Sequence, residues 1–264
     1  ATLILEKSKN LKLGEYSYLT IDDVDREKNI PFVFPKKDNG RFVRIPQTNF
    51  CKIPGSPITY WVSEDILALH DNKSYINEFG SFKRGIGTSD NNRFLRFWHE
   101  VNLKKSIILD DRNFKWVRYN KGGDFRRWYG NQNYFVDWEN NGYDIKNLRN
   151  NQGKLMSRPQ NIEYNFKPVI SYSSLTSSDI SVRYYEVDFI NDQAGNFIYI
   201  EDLEARFNLL GLLNSTLSKY FIKLTNPTLN ITVEDLNNIP YQMEWVSENI
   251  KNEVLRCIEI SKRD

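Results

Sequence analysis

The sequence predicts a mixed α/β (α+β) fold, a strand-rich middle flanked by helices, and three observations predict it. Short runs rich in Val, Ile, Tyr and Phe recur between Asn-, Gly- and Ser-rich punctuation in the middle of the chain. Toward the C terminus the pattern changes, and Leu203, Phe207, Leu210, Leu213, Leu217 and Tyr220 fall at helical spacing along one face. A chain of 264 residues with 40% hydrophobic and 14% aromatic content can bury a sizeable core, which excludes general disorder.

The elements follow in order. TLILEK (2–7) and GEYSYLTI (14–21) flank the turn-like KNLKLG and predict a hairpin. DDVDREKNIPFVFPKKDNG (22–40), charged and punctuated by proline, predicts a connector. RFVRIP (41–46) and PITYWVS (57–63) read as strands. SEDILALHDNKSYINEF (63–79) has a serine cap, early acids and helical spacing, with a weak point at Asp71-Asn72. The three glycines of GSFKRGIGTSD (80–90) predict a loop. KWVRYN, YFVDW, PVISYS, ISVRYYEV and NFIYI supply strands. EDLEARFNLLGLLNSTLSKYFIKL (201–224) reads as one long helix, and a last helix at roughly 246–262 follows the extended NPTLNITVEDLNNIPY. The expected organisation is a hairpin at 1–22, a connector at 23–40, a strand-rich core at 41–200 and a helical segment at 201–264.

Composition narrows the function classes. A net charge of only +2 means that any polyanion site is a local patch rather than a global field. Cys51 and Cys257 lie far apart in no C-x-x-C pair, which points to a reducing, cytoplasmic compartment and to neither a disulfide framework nor a zinc site. Two histidines, His70 and His99, argue against a metal cluster or a catalytic triad; His99 reads as a partly buried packing or hydrogen-bonding residue. No apolar run approaches the length of a membrane span, so no membrane partner is expected. The opening ATLILEKSKN lacks Met and reads as a strand entered midway, the cut edge of a longer protein. Phosphate-cradling P-loop and dinucleotide glycine motifs are absent. TNPTLN (225–230) is a near miss to the Asn/Asp-Pro-Pro-aromatic clamp that holds a flipped base in amino-group DNA methyltransferases. Thr228 stands where the second proline belongs and Leu229 where the aromatic belongs, so Pro227 is expected simply to end the helix and turn the chain.

One stretch, KWVRYNKGGDFRRWYG (115–130), crowds Lys115, Arg118, Lys121, Arg126 and Arg127 around Gly122-Gly123, with Asp124 the single opposing acid. Arginine and lysine neutralise phosphates, arginine reads guanine edges through two parallel hydrogen bonds, and paired glycines let a backbone approach closely. A second cluster sets Lys83, Arg84, Arg93, Arg96, Lys104 and Lys105 against Asp90 and Glu100. Composition alone fits two solvated, charge-rich turns equally well. The interleaved Trp116, Trp128 and Trp138 are expected to pack on the core rather than to stack on bases.

Larger motifs carry a resemblance. IPGSPITYWVS (53–63), GIGTSDNNRFLRFWHEV (85–101), KWVRYNKGGDFRRWYGN (115–131), DWENNGYDIK (137–146), ISYSSLTSSDISVRYY (170–185) and LLGLLNSTLSKYFIKLTNPTLNITVEDLNNIP (209–240) run in order over nearly the whole chain. They resemble the PglX family, the adenine-specific DNA methyltransferases of BREX phage-exclusion systems. The resemblance implies a C-terminal target-recognition part, with a fold like the recognition domains of type I and type IIG restriction-modification enzymes. Residues 1–22 would then be the last hairpin of the upstream methyltransferase domain. The implied partners are double-stranded DNA, that upstream domain and other phage-defence components. The parent would use S-adenosylmethionine to methylate adenine N6, while no cofactor-binding or catalytic residue falls within this segment. Expected DNA contacts are Lys121, Arg126, Arg127, Arg93 and Arg96 first, with Lys83, Arg84, Lys115, Arg118, Gly122 and Gly123 around them. Ser171, Ser173, Thr176 and Arg183 follow, as polar residues near strand ends. Two other classes stay open. A restriction nuclease would need an Asp…Glu-x-Lys metal site, which EVDF (186–189) and IEYNFK (162–167) supply poorly; a protein-interaction module of a defence complex needs none.

Overall fold

Contacts divide the chain between Lys73 and Ser74 into two units, Ala1–Lys73 and Ser74–Asp264. The structure, a computed structural model, describes residues 13–17, 19–32, 42–106, 114–173, 179–226, 228 and 230–264. The expected first strand TLILEK, the later part of the expected connector, Thr176 and Pro227 lie outside these residues.

In the first unit β1 (Leu13–Ser17) pairs antiparallel with a later strand, Phe42–Pro46, so that Gly14 faces Ile45 and Glu15 faces Arg44 in an ion pair. Between them β2 (Val24–Asp25) and β3 (Ile30–Pro31) form a small hairpin, and the strand Phe42–Pro46 is β4. The turn closes because the Asp25 carboxylate accepts the amides of Glu27 (3.0 Å) and Lys28 (3.2 Å), while Asn29 takes a left-handed conformation, φ 55°. PITYWVS, expected as a strand, is not one. Val62 N–H bonds the Thr59 carbonyl at 3.1 Å in a turn, and Tyr60 leaves the backbone run to stack on Tyr16 at 5.0 Å. Helix α1 (Glu64–Ala68) starts at its serine cap, Ser63 Oγ accepting Ile66 N–H at 3.4 Å, and is shorter than its pattern implied.

The second unit contains, in order, β5 (Ser81–Lys83), α2 (Asn91–Phe94), β6 (Leu95–Phe97), β7 (Trp116–Asn120), β8 (Tyr134–Asp137), α3 (Glu139–Lys146), β9 (Val169–Ser173), β10 (Val182–Tyr185), β11 (Phe189–Asn191) and β12 (Gly195–Tyr199). Helices α4 (Leu203–Leu213), α5 (Thr216–Thr225), α6 (Val233–Asn237) and α7 (Glu248–Ser261) close it. One sheet is antiparallel, in the order β10-β9-β12-β5; the other runs β11-β7-β8-β6, with β11 parallel to β7. The core gathers Phe94, Val117, Tyr119, Val136, Trp138 and Ile190 in one cluster and Val169, Tyr185, Phe189 and Phe197 in another. A fully buried side chain of this kind contributes about 1.5–3 kcal/mol. The mixed α/β class is as expected.

Three elements depart from expectation. Ser81–Lys83 lies within the presumed glycine loop yet forms the edge strand beside β12. Gly80, which leads into it, permits this close approach, since a Cβ there would sit 2.7 Å from Ile198 Cγ2 of β12. The long helix is two helices: Asn214 caps the end of α4, its side-chain amide bonding both main-chain groups of Val182 at 2.9 Å, and Ser215 caps a new start. Part of the supposedly extended NPTLNITVEDLNNIPY is α6, begun by a reciprocal cap between Thr232 and Asp235. No helix among the described residues is long and apolar enough to cross a membrane.

Candidate nucleic-acid interface

Strand β7 runs directly into the glycine-centred segment, which returns as β8 thirteen residues later. Five residues of this loop have left-handed backbone: Gly122 (φ 76°), Gly123 (125°), Trp128 (70°), Gly130 (125°) and Asn131 (57°). Such a path makes few regular bonds of its own and must be held from outside. Strand β10 and its neighbours do this. Trp128 N–H bonds the Val182 carbonyl at 2.9 Å and the Trp128 carbonyl accepts Tyr184 N–H at 2.8 Å, adding a rung to the sheet. Arg126 N–H donates to Ser181 Oγ (3.3 Å), and the Arg126 carbonyl accepts from Arg183 Nη1 (3.1 Å). Ser173 Oγ accepts from Arg183 Nη2 (3.1 Å) and donates to the Gly123 carbonyl (2.8 Å). The Tyr185 hydroxyl donates to the Gly130 carbonyl (3.2 Å), and Asn131 Nδ2 donates to that of Asp124 (2.9 Å).

Beneath the loop a buried polar network joins the two sheets. Asn120 Nδ2 donates to Ser171 Oγ (2.8 Å) and to Asn191 Oδ1 (3.0 Å), and Ser171 Oγ donates to the Asn196 carbonyl (2.8 Å). Gly122 lies within this contact, where a Cβ would come 3.2 Å from the Ala194 carbonyl oxygen. Its role is seating the loop, whereas Gly123 is exposed.

The cations sort into two groups. Most are paired internally: Lys121 with Asp192 (3.2 Å), Arg118 with Asp188 (3.2 Å), Lys115 with Asp137 (3.0 Å) and Glu139 (2.8 Å), and Arg93 with Asp144 (3.2 Å). The hydrogen bond to Glu139 raises the pKa of Lys115; Asp188 is raised by burial, against the pull of Arg118. Arg96 donates to the carbonyls of Asn92 (2.7 Å) and Leu95 (2.6 Å), and Lys83 lies over the Tyr164 ring at 5.7 Å. Among the described residues no carboxylate pairs with Arg84, Arg126 or Arg127. Arg84 and Arg126 are exposed; Arg127 is half-buried with its guanidinium 5.3 Å from the Phe125 ring centre.

Several expected surface residues work inside the fold instead. Ser171 and Arg183 have no accessible surface and Ser173 is buried, because their polar groups bond the loop and the neighbouring strand. Trp138 is the buried tryptophan, at 1% exposure; Trp116 and Trp128 are half-buried. Trp128 lines an apolar cleft of about 630 Å³ with Leu212, Leu217, Trp245 and Val254. His99 is exposed and stacked on Phe97 at 5.6 Å, not partly buried. Ser181 and Tyr185, which fix the loop, carry no signal in the sequence, since their partners lie some fifty residues earlier. Among the described residues no group of three or more His, Cys, Asp or Glu is placed to hold a metal ion.

No family profile matches the chain. By sequence it is 35% identical over 237 residues to the adenine-specific methyltransferase PglX of Lacticaseibacillus casei (strain Zhang), covering 86% of this chain and 20% of that protein. It is 32% identical over 227 residues to the adenine-specific methyltransferase BrxX of Escherichia coli O9:H4 (strain HS), covering 84% of this chain and 18% of that one. The chain therefore spans about a fifth of the length of these relatives. By fold, the type IIL restriction-modification enzyme MmeI, solved in complex with DNA, aligns with a TM-score of 0.44 and 12% identity, over 73% of this chain and 29% of that one.

Proposed function

Since the chain belongs to the family of the adenine-specific methyltransferases PglX and BrxX, we propose that it is the C-terminal target-recognition part of such an enzyme, placing the parent on double-stranded DNA. In this reading the parent acts in the cytoplasm as part of a BREX-type phage-defence system, together with other defence components. Its catalytic domain lies upstream in the same polypeptide and uses S-adenosylmethionine to methylate adenine N6. This chain contributes recognition and supplies neither catalytic nor cofactor-binding side chains.

One observation carries the reading. The left-handed loop is fastened to β10 by four hydrogen bonds and to the adjoining Ser181 by a fifth, yet among the described residues the side chains of Arg126 and Arg127 have no ion pairs while their neighbours Lys115, Arg118 and Lys121 are neutralised from within. A cation engaged with an internal carboxylate must give that partner up before it meets a phosphate; an unpaired one need not. The test is duplex binding by the parent enzyme across a salt series. Replacing Arg126 and Arg127 together by Ala is expected to weaken binding and to lower the salt slope by about one unit for each of the two that neutralises a phosphate. Lys121→Ala is expected to do less, because its ammonium already has Asp192. Unchanged affinity and slope in the double variant would make the loop scaffold.

A further inference from the structure

We infer that Arg126 reads a base edge and that the buried Arg183 is its positioning residue, an assignment that rests on the DNA-recognition reading above. Arg183 is a cation with no accessible surface, and among the described residues no carboxylate pairs with it. Burying an unpaired charge is costly, so its bonds should reveal what it holds. They converge on the loop. One arm donates to the Arg126 carbonyl (3.1 Å) and to Ser181 Oγ (3.3 Å), and Ser181 Oγ itself accepts Arg126 N–H. The other arm donates to Ser173 Oγ, which in turn holds the Gly123 carbonyl. Both main-chain groups of Arg126 are thereby fixed by Ser181 and Arg183.

The side chain of Arg126 is also seated. A Cβ built at Gly130 would fall 2.6 Å from Arg126 Cδ and 3.1 Å from Nε, so the stem of Arg126 lies across a residue that only glycine can supply. At φ 125° that position is glycine's on conformational grounds too, and the Tyr185 hydroxyl holds its carbonyl. The result is an exposed guanidinium on a fixed main chain and a fixed platform. Attraction to a phosphate tolerates a displacement of this group, whereas two parallel hydrogen bonds to a guanine edge do not. The other cations lack this combination: Arg127 is half-buried, Lys121, Arg118 and Arg93 are paired, and for Arg84 the structure records a single main-chain anchor, the carbonyl accepting from Asn161 at 2.8 Å.

The experiment uses the complete methyltransferase and a duplex library randomised around its methylated site, read as methylation of each sequence together with affinity for an unrelated duplex. Arg126→Lys keeps the charge and removes the two-pronged donor. It is expected to lower discrimination at one base position by about ten- to a hundredfold, leaving preference elsewhere and affinity for the unrelated duplex unchanged. Ser181→Ala, which removes one main-chain anchor and leaves the fold's larger contacts intact, is expected to relax preference at that same position by a smaller factor. Arg183→Lys is expected to fall between the two if it folds. Intact preference with uniformly weaker binding in Arg126→Ala would overturn base reading while leaving DNA recognition standing. No change in binding or preference in Arg126→Ala would take Arg126 off the DNA and overturn base reading outright. Retained preference in Ser181→Ala beside lost preference in Arg126→Lys would overturn the positioning role alone.

Discussion

Trp138 and Trp128 stand ten residues apart in one aromatic-rich stretch, yet they carry different loads. Trp138 is 1% exposed within the cluster formed by Val117, Tyr119, Val136 and Ile190, and its main-chain N–H bonds the Lys115 carbonyl at 2.7 Å. Trp138→Ala should therefore cost about 3–5 kcal/mol, the range for deleting a large buried aromatic. Trp128→Ala should cost clearly less, because its ring borders an open cleft while its contribution to the sheet is made by main-chain groups that alanine retains. Urea denaturation of the two variants tests the ranking; equal losses would mean that the Trp128 ring supports the core as much as Trp138 does. The left-handed φ of 70° at Trp128 adds a strain that alanine inherits, so it does not bias the comparison.

Among the elements, the break between α4 and α5 depends on one side chain. Asn214 Oδ1 accepts Val182 N–H and its Nδ2 donates to the Val182 carbonyl, so the end of α4 completes β10, the strand that fastens the basic loop. Asn214→Ala would strand one buried main-chain donor, the Val182 N–H, at about 1–3 kcal/mol, while the Val182 carbonyl keeps the Trp128 N–H, and should lower the melting temperature accordingly. A melt unchanged from the wild type would show that the bridge is dispensable. The same residue explains what was legible in the sequence. Strands β7, β8, β9, β10 and β12 announce themselves through β-branched and aromatic runs, and α7 through its spacing. LLGLLNSTLSKYF shows unbroken helical periodicity because the reason for the break lies in Val182, thirty-two residues earlier. Strands β5, β6 and β11, three residues each, are too short for any period to register. The basic segment was visible as a candidate site. That Lys121 meets Asp192 and Arg118 meets Asp188 was not, since those partners lie some seventy residues away and charge counted along the chain records only neighbours in sequence.

For the molecule as a whole, the net charge is only +2, and the response to alkali should come from buried phenols rather than from surface charges. Burial raises the pKa of Tyr119 well above its ordinary value of 10.0, raises those of Tyr172 and Tyr185, and brings Tyr241 to about 12. Below pH 10 these groups are neutral in both folded and unfolded chains, and their ionisation adds nothing to the balance. As the pH rises past 10, the unfolded chain loses phenolic protons that the folded chain keeps, so stability falls by up to about 1.4 kcal/mol per pH unit for each buried phenol. Stability should therefore hold level to about pH 10 and then collapse steeply, with tyrosinate absorbance from the buried rings appearing together with loss of structure. Tyr172→Phe should make the decline shallower by one group, with little loss at neutral pH, because its hydroxyl is buried without a hydrogen-bond partner among the described residues. Tyr185→Phe should also lose the bond to Gly130, so the altered slope is expected there beside weaker duplex binding by the parent enzyme at neutral pH. Tyrosinate signals from all the phenols while far-ultraviolet circular dichroism stays native would show that these rings are open to solvent, and would remove β10 as the fixed wall behind the loop.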